Sequence, residues 1–172
     1  MLAADARARD AAGEFHAASI GRGAARTQRS ELRGDRVLWL EPCPADPAQQ
    51  PLWDAMEALR LALNETLLLG LFSFEAHYAI YPPGASYRRH RDAFRDDDAT
   101  SDARVISCAL YLNEGWTHAD GGALRIHDPA RAYDVLPAAG TLACFLSGRF
   151  EHEVLPATRE RLAVTGWFRR RA

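Results

Sequence analysis

From Phe72 onward the chain is punctuated too often to hold helices. Turn-forming residues recur at Pro83-Gly84, Asn113-Glu114-Gly115, Gly121-Gly122, Pro137 and Gly148, and the stretches between them are short. Strand following strand, with no helix between, argues against a doubly wound sheet and for an all-β sandwich or barrel. The first part reads differently. Ala3 to Gly13 has the pattern of a short helix, the polar Gly21 to Arg33 stretch that of a loop, and Arg36 to Leu40 that of a strand. Pro51 then sits where a first helical turn tolerates it, with Asp54 and Glu57 toward the N-terminal end. Leu52, Met56, Leu59, Leu63 and Leu67 repeat at helical spacing, and Gly70 is placed to close the element. The expectation is a mainly β fold with N-terminal helices (α+β). Residues 1–71 would be a helical support region with one strand and residues 72–172 the β core, within one domain, as suits a chain of 172 residues.

The β region carries His90-Arg91-Asp92, then a distant His152, then Arg161. Side chains at i and i+2 of a strand project to one face, so His90 and Asp92 can share a metal while Arg91 points away. Two imidazoles and one carboxylate on one face of an ion leave three positions open, the pattern suited to non-haem Fe(II). Arg161 is placed to clamp a dicarboxylic acid whose other end chelates that ion. Alternation puts Arg161, Ala163, Thr165 and Trp167 on one face of the last strand and Leu162, Val164, Gly166 and Phe168 on the other. The same test on Arg104 to Leu112 puts Tyr111 on the less apolar face, its hydroxyl free to donate to a carboxylate. Taken singly, each residue has a plainer reading: a His-x-Asp pair in a solvated loop, a histidine bonded in the core. Their order within a run of strands gathers them into one site. His118 and His127 lack ligand spacing and read as loop and strand-end residues. With the triad, the β core becomes a double-stranded β-helix, a jelly roll with its metal at the open end.

Several longer stretches carry a resemblance. Tyr81-Pro82-Pro83-Gly84 through Tyr87-Arg88-Arg89-His90-Arg91-Asp92 is one; Arg104 leading to Tyr111-Leu112-Asn113, Trp116 and Gly121-Gly122-Ala123-Leu124-Arg125-Ile126 is another. His152-Glu153-Val154-Leu155-Pro156-Ala157 with Arg161 and Trp167 is a third, and Arg33-Gly34-Asp35 with Trp39-Leu40-Glu41 lies upstream. Together they resemble the prolyl hydroxylase family of 2-oxoglutarate/Fe(II)-dependent dioxygenases, close to its hypoxia-sensing members and their bacterial relatives. The resemblance implies Fe(II) on His90, Asp92 and His152, with O2 as co-reactant and ascorbate as a candidate reductant. It implies 2-oxoglutarate as cosubstrate, clamped by Arg161 and supported by Tyr111, Thr165 and Trp167. Tyr81, Arg104, Trp116 and Leu124 match positions that line or approach the substrate pocket. The implied substrate is a proline-containing protein or peptide, hydroxylated with release of succinate and CO2. Free proline or another small molecule is the alternative substrate, and a non-catalytic jelly-roll metal-binding or sensing protein the alternative class. Two departures stand out. Met1 to Phe15 resembles only the tail of a longer helix, as in a shortened form or a displaced start, and the insert Ala93 to Ala103, with Asp96, Asp97 and Asp98, differs in composition from its family counterpart.

Charge and thiols bound the rest. A net charge of -2 gives no general pull toward nucleic acid, and the basic residues, all arginine, are scattered. Arg88, Arg89, Arg91 and Arg95 near the metal entry could attract an acidic segment or simply face Asp96 to Asp98, and Arg169 to Arg171 read as a frayed terminus. Cys43, Cys108 and Cys144 are widely spaced and read as separate buried thiols of a reducing compartment. The first sixteen residues lack the apolar stretch of a signal peptide, and Leu59 to Phe74 is interrupted by Arg60, Asn64 and Glu65. The expected location is cytoplasmic, with no membrane partner.

Overall fold

The computed structural model describes residues 1–18, 32–42, 46–92 and 103–171. Most of the expected Gly21 to Arg33 loop, Cys43, and nearly all of the Ala93 to Ala103 insert lie outside the described residues.

Helix α1 (Leu2–Ala11) is followed by β1 (His16–Ala17), β2 (Arg36–Leu40) and helix α2 (Gln50–Leu67). The strands then follow as expected: β3 (Leu71–Tyr81), β4 (Tyr87–His90), β5 (Ala103–Tyr111), β6 (Leu124–His127), β7 (Ala132–Val135), β8 (Leu142–Leu146), β9 (Glu151–Val154) and β10 (Arg161–Arg170). A 3₁₀ turn, His118–Asp120, precedes β6. Two antiparallel sheets result, a six-stranded one in the order β1-β2-β3-β10-β5-β8 and a four-stranded one in the order β4-β9-β6-β7. This is the jelly roll with helical support.

Each face of the large sheet is covered, and by different things. Tyr78, Ile80, Ile106, Cys108, Leu162, Val164 and Phe168 face Ala6 of α1 and Leu52 and Met56 of α2. Ala79, Tyr81, Ala109, Tyr111 and Ala163 face Leu124 and Val154 of the small sheet. The two-residue alternation of β5 and β10 therefore sorts side chains as expected, apolar toward the helices and pocket residues toward the second sheet. An open space between the sheets is where a site can form.

Some local expectations needed correction. The α2 stripe is buried at Leu52 and Met56 and half-buried at Leu59 and Leu63, but Leu67 is exposed. The left-handed cap is Leu68 (φ 52°), two residues before Gly70. The turn is held by the Asn64 side chain, which donates to the Leu71 carbonyl at 2.8 Å and accepts from its amide at 2.7 Å. Once α2 is pinned to β3 in this way, a non-glycine cap is tolerated. The arginines near the C-terminus are also ordered rather than frayed. Arg169 and Arg170 belong to β10, Arg169 reaches Glu75 at 3.4 Å, and Arg171 lies 3.7 Å over the Phe72 ring. β1 was too short to be legible.

Candidate active site

His90 and His152 are direct register partners across β4 and β9, their ring centroids 4.2 Å apart. Asp92 joins them from just beyond the end of β4, not from within a strand as the i, i+2 argument supposed. The chain bends there, and the carboxylate still reaches both rings: Oδ1 lies 3.5 Å from His90 Nε2 and Oδ2 lies 3.4 Å from His152 Nε2. One ligand atom from each residue falls within 4.8 Å of the others, close enough for a single ion to bind all three.

The surroundings prepare these groups for a cation. His90 Nδ1 lies 2.8 Å from the Arg88 carbonyl, so it carries the proton and leaves Nε2 as the lone-pair donor. Tyr87 stacks on the His90 ring at 3.7 Å, and Phe145 meets the His152 ring edge-on at 4.7 Å. Burial, only partly offset by Asp92, lowers the His152 pKa to about 4, so its imidazole is neutral at neutral pH. Burial alone would raise the Asp92 carboxyl. Its close contacts with the His90 and His152 rings and the hydrogen bond from the Ser107 hydroxyl outweigh it and hold the group well below the usual carboxylate range. Ser107 Oγ donates to Asp92 Oδ2 at 2.7 Å and is itself 2.8 Å from Ser147 Oγ. Two imidazoles and an ionised carboxylate form a donor set that fits Fe(II).

Arg161 opens β10 and is buried at 3 % exposure. Its Nε donates to the Gly122 carbonyl at 2.9 Å, and its guanidinium carbon lies 4.9 Å from the Tyr111 ring centroid and 5.2 Å from that of Tyr81. No carboxylate among the described residues pairs with it. A buried guanidinium without an anion is costly, and the nearby Tyr111 hydroxyl is buried with no hydrogen-bond partner among the described residues. A cation and an idle donor at one end of a cavity, with a metal-binding triad elsewhere on its wall, fit a dicarboxylate such as 2-oxoglutarate. Gly122, at φ +70°, must be glycine here, because a Cβ would come within 2.9 Å of Ala157 Cβ and 3.3 Å of Arg161 Cδ.

The cavity has a volume of about 650 Å³ and takes in His90, Asp92, His152, Arg161, Thr165, Trp167, Tyr81, Arg104 and Leu124. Tyr111 adjoins it through Arg161. Trp167 sits in a cluster away from Arg161, with His77 at 5.4 Å, Trp39 at 6.1 Å and the Arg104 guanidinium 3.5 Å over its ring. Trp116 is not brought into the cavity wall. Its indole N–H donates to the Gly121 carbonyl at 2.9 Å, where it braces the turn that feeds Gly122 to Arg161. His118 opens the 3₁₀ turn, and His127, ending β6, meets Glu153 at 2.9 Å, both apart from the triad. Arg89 pairs with Glu151 at 2.8 Å; Arg95 and Asp96 to Asp98 lie outside the described residues.

Sequence reasoning missed Ser107, Ser147, Tyr87, Phe145 and the buried His77. Ser107 was within reach, since alternation along β5 puts it on the Tyr111 face. Tyr87 lies on the same short strand as His90 and was within reach too, whereas the others depend on how separate strands come together. His77, with its pKa pushed well down by burial and by Arg33 and Arg104, is a neutral ring in the cavity wall.

Known proteins with this arrangement now identify the family. Residues 76–169 match the 2OG-Fe(II) oxygenase superfamily. Egl nine homolog 1 of Homo sapiens is 30% identical over 152 residues, covering 80% of this chain and 33% of its own length, so this chain spans about a third of that relative. A prolyl-4-hydroxylase structure from Pseudomonas putida is 51% identical, with TM-score 0.85 over 99% of this chain and 85% of its own. A prolyl hydroxylase from Trichoplax adhaerens, solved with a hypoxia inducible factor oxygen degradation domain peptide, is 26% identical, with TM-score 0.77 over 95% of this chain and 74% of its own. With the His90, Asp92 and His152 cluster and Arg161 in one cavity, the chain belongs to the 2OG-Fe(II) oxygenase superfamily.

Proposed function

We propose that this chain is an Fe(II)- and 2-oxoglutarate-dependent dioxygenase that hydroxylates a prolyl residue of a protein or peptide. The observation that carries the reading is the buried Arg161, with no carboxylate partner among the described residues, facing the same cavity as the triad. On this reading the whole chain works as one catalytic domain, residues 1–71 supporting the jelly roll of 72–172. The prolyl specificity is supported by the likeness to the Pseudomonas putida prolyl-4-hydroxylase, which extends over nearly the whole chain.

His90, Asp92 and His152 would hold the iron. Oxidation is chemistry supplied by ferrous iron, 2-oxoglutarate and O2 when bound, with release of succinate and CO2. Arg161 anchors the distal carboxylate through a charge-assisted pair, and Tyr111 and Thr165 add neutral donors. Ser107 keeps the Asp92 carboxylate oriented. Tyr81, Leu124, Arg104 and Trp167 form the wall along which substrate enters, with Trp116 supporting the Arg161 end from behind. Ascorbate is the proposed reductant and the proposed location is cytoplasmic; among the described residues no helix is long and apolar enough to cross a membrane.

The test is mass spectrometry of a host proteome with and without the enzyme, searching for prolines that gain one oxygen atom, beside an assay of 2-oxoglutarate decarboxylation. Decarboxylation stimulated by free proline, with no modified protein, gives the small-molecule alternative. No decarboxylation with any substrate returns the chain to a metal-binding or sensing role.

A further inference from the structure

The two described cysteines, expected to be separate buried thiols, meet. Cys108 on β5 and Cys144 on β8 are register partners with their sulfurs 3.3 Å apart. The backbone bonds on either side define the kind of pair. Tyr111 N donates to Thr141 O at 3.0 Å and Ser147 N to Val105 O at 2.9 Å, so alternation leaves Cys108 and Cys144 in a non-hydrogen-bonded position. At such positions of an antiparallel pair the Cα atoms are about 4.5 Å apart and the side chains lean together. A disulfide needs a Cα separation of about 4.4–6.8 Å, so bonding asks for little backbone movement.

Access is asymmetric. Cys108 is packed in the helix-side core at 3 % exposure, whereas Cys144 is exposed on an edge strand. The hydrogen bond between them draws the outer thiol below its ordinary value and, with burial, pushes the inner one up. The outer sulfur is therefore the nucleophile and the inner one its resolving partner.

The structure assigns to Cys108 and Cys144 a reversible oxidation site that hydrogen peroxide closes as a disulfide. The Cys144 thiolate attacks one peroxide oxygen, the O–O bond breaks, and a sulfenic acid forms with loss of the first water. The Cys108 sulfur then attacks Cys144, the S–O bond breaks, and a second water leaves. Two thiols give up two electrons and two protons, and the peroxide takes them. An external dithiol reverses the step by exchange.

The site adjoins the metal centre. The next register pair is Ser107 and Phe145, on the cavity side of the same two strands. Ser107 holds Asp92, and Phe145 packs on His152. Because these contacts are short, even the small strand shift that closes the disulfide is enough to alter the contacts of two of the three triad residues.

The test uses the full chain carrying Cys43→Ser, which removes the third thiol. After stoichiometric hydrogen peroxide, intact mass should fall by two hydrogen atoms, peptide mapping should join Cys108 to Cys144, and dithiothreitol should restore the mass. Adding Cys144→Ser should abolish the loss. Oxygen addition at Cys144 without a cross-link, or a disulfide joining two copies, overturns the assignment. Mn(II) titration of the same metal-free samples should read severalfold weaker binding when oxidised. Equal affinities overturn the coupling to the metal centre, and the mass result stands or falls separately from any enzymatic activity.

Discussion

Arg161 spends its Nε on the Gly122 carbonyl, 2.9 Å away, and so keeps its remaining nitrogens for the cavity. A guanidinium fixed at one nitrogen presents the others as a planar fork matched to a carboxylate, which a lysine cannot reproduce. Arg161→Lys should therefore weaken 2-oxoglutarate binding by about 10- to 150-fold, corresponding to a lost charge-assisted bond of about 1.5–3 kcal/mol. Tyr111→Phe, which removes a neutral donor, should cost less. Titration of anaerobic, iron-loaded protein, followed by the absorption that chelation produces, measures both. Parent-like binding by Arg161→Lys would mean that another residue anchors the cosubstrate.

Ser107 should matter to the metal without touching it. Its hydroxyl occupies Asp92 Oδ2 and restrains how the carboxylate rotates. Groups that orient metal ligands typically contribute about 10- to 100-fold in affinity, so Ser107→Ala should lose that much for Mn(II). Ser107→Thr keeps the hydroxyl and should recover most of the loss. If Ser107→Thr were as weak as Ser107→Ala, packing and not the hydroxyl would be responsible.

The helix-side core contains a pH-sensitive tie. Asp5 on α1 accepts from Tyr78 Oη at 2.8 Å, Arg9 Nε at 3.0 Å and Gln49 Nε2 at 3.1 Å, and so links α1 to β3 and to the start of α2. Burial alone would raise its pKa; these donors overcome that and lower it. A depressed carboxylate contributes stability above its unfolded pKa, about 3.9, that is lost as pH falls through the folded value. Asp5→Asn should destabilise the protein by about 1–3 kcal/mol at neutral pH. The gap in melting temperature from the parent should narrow below about pH 4. A gap that stays constant down to low pH would show that the charge of Asp5 is irrelevant.

How much of this was legible depended on whether the signal was local. Alternation along β5 and β10 assigned both faces correctly, except at Val105 beside the β10 register shift, because each strand is buried differently on its two sides. The triad and Arg161 were visible because their spacing implies chemistry. What escaped depends on how separate strands and turns are brought together in space. Nothing in the spacing of Cys108 and Cys144 indicates that β5 and β8 bring them into register. Nor does it show that Phe145 packs against His152, or that Trp116 faces the Gly121 turn and not the cavity. Leu68 shows the converse, a local rule for glycine at a left-handed cap set aside because Asn64 already fixes the turn.

The register of His90 against His152 leads to the last prediction. Because the two rings face each other across β4 and β9, either one alone leaves Asp92 and a single imidazole, too few donors to fix a labile ferrous ion in one orientation. Removing a ligand should cost more than removing a group that merely orients one, so His152→Ala should lower Mn(II) affinity by more than about 100-fold. 2-Oxoglutarate decarboxylation should be abolished with it. The fold should survive, since Phe145, Val154 and Ile126 still pack around the gap, and circular dichroism would check this. His118→Ala is the matched control: its side chain is exposed in the 3₁₀ turn, so metal affinity and decarboxylation should both stay at the parent level. Parent-like metal binding by a folded His152→Ala protein, or a loss as large in His118→Ala, would show that the ion is held elsewhere.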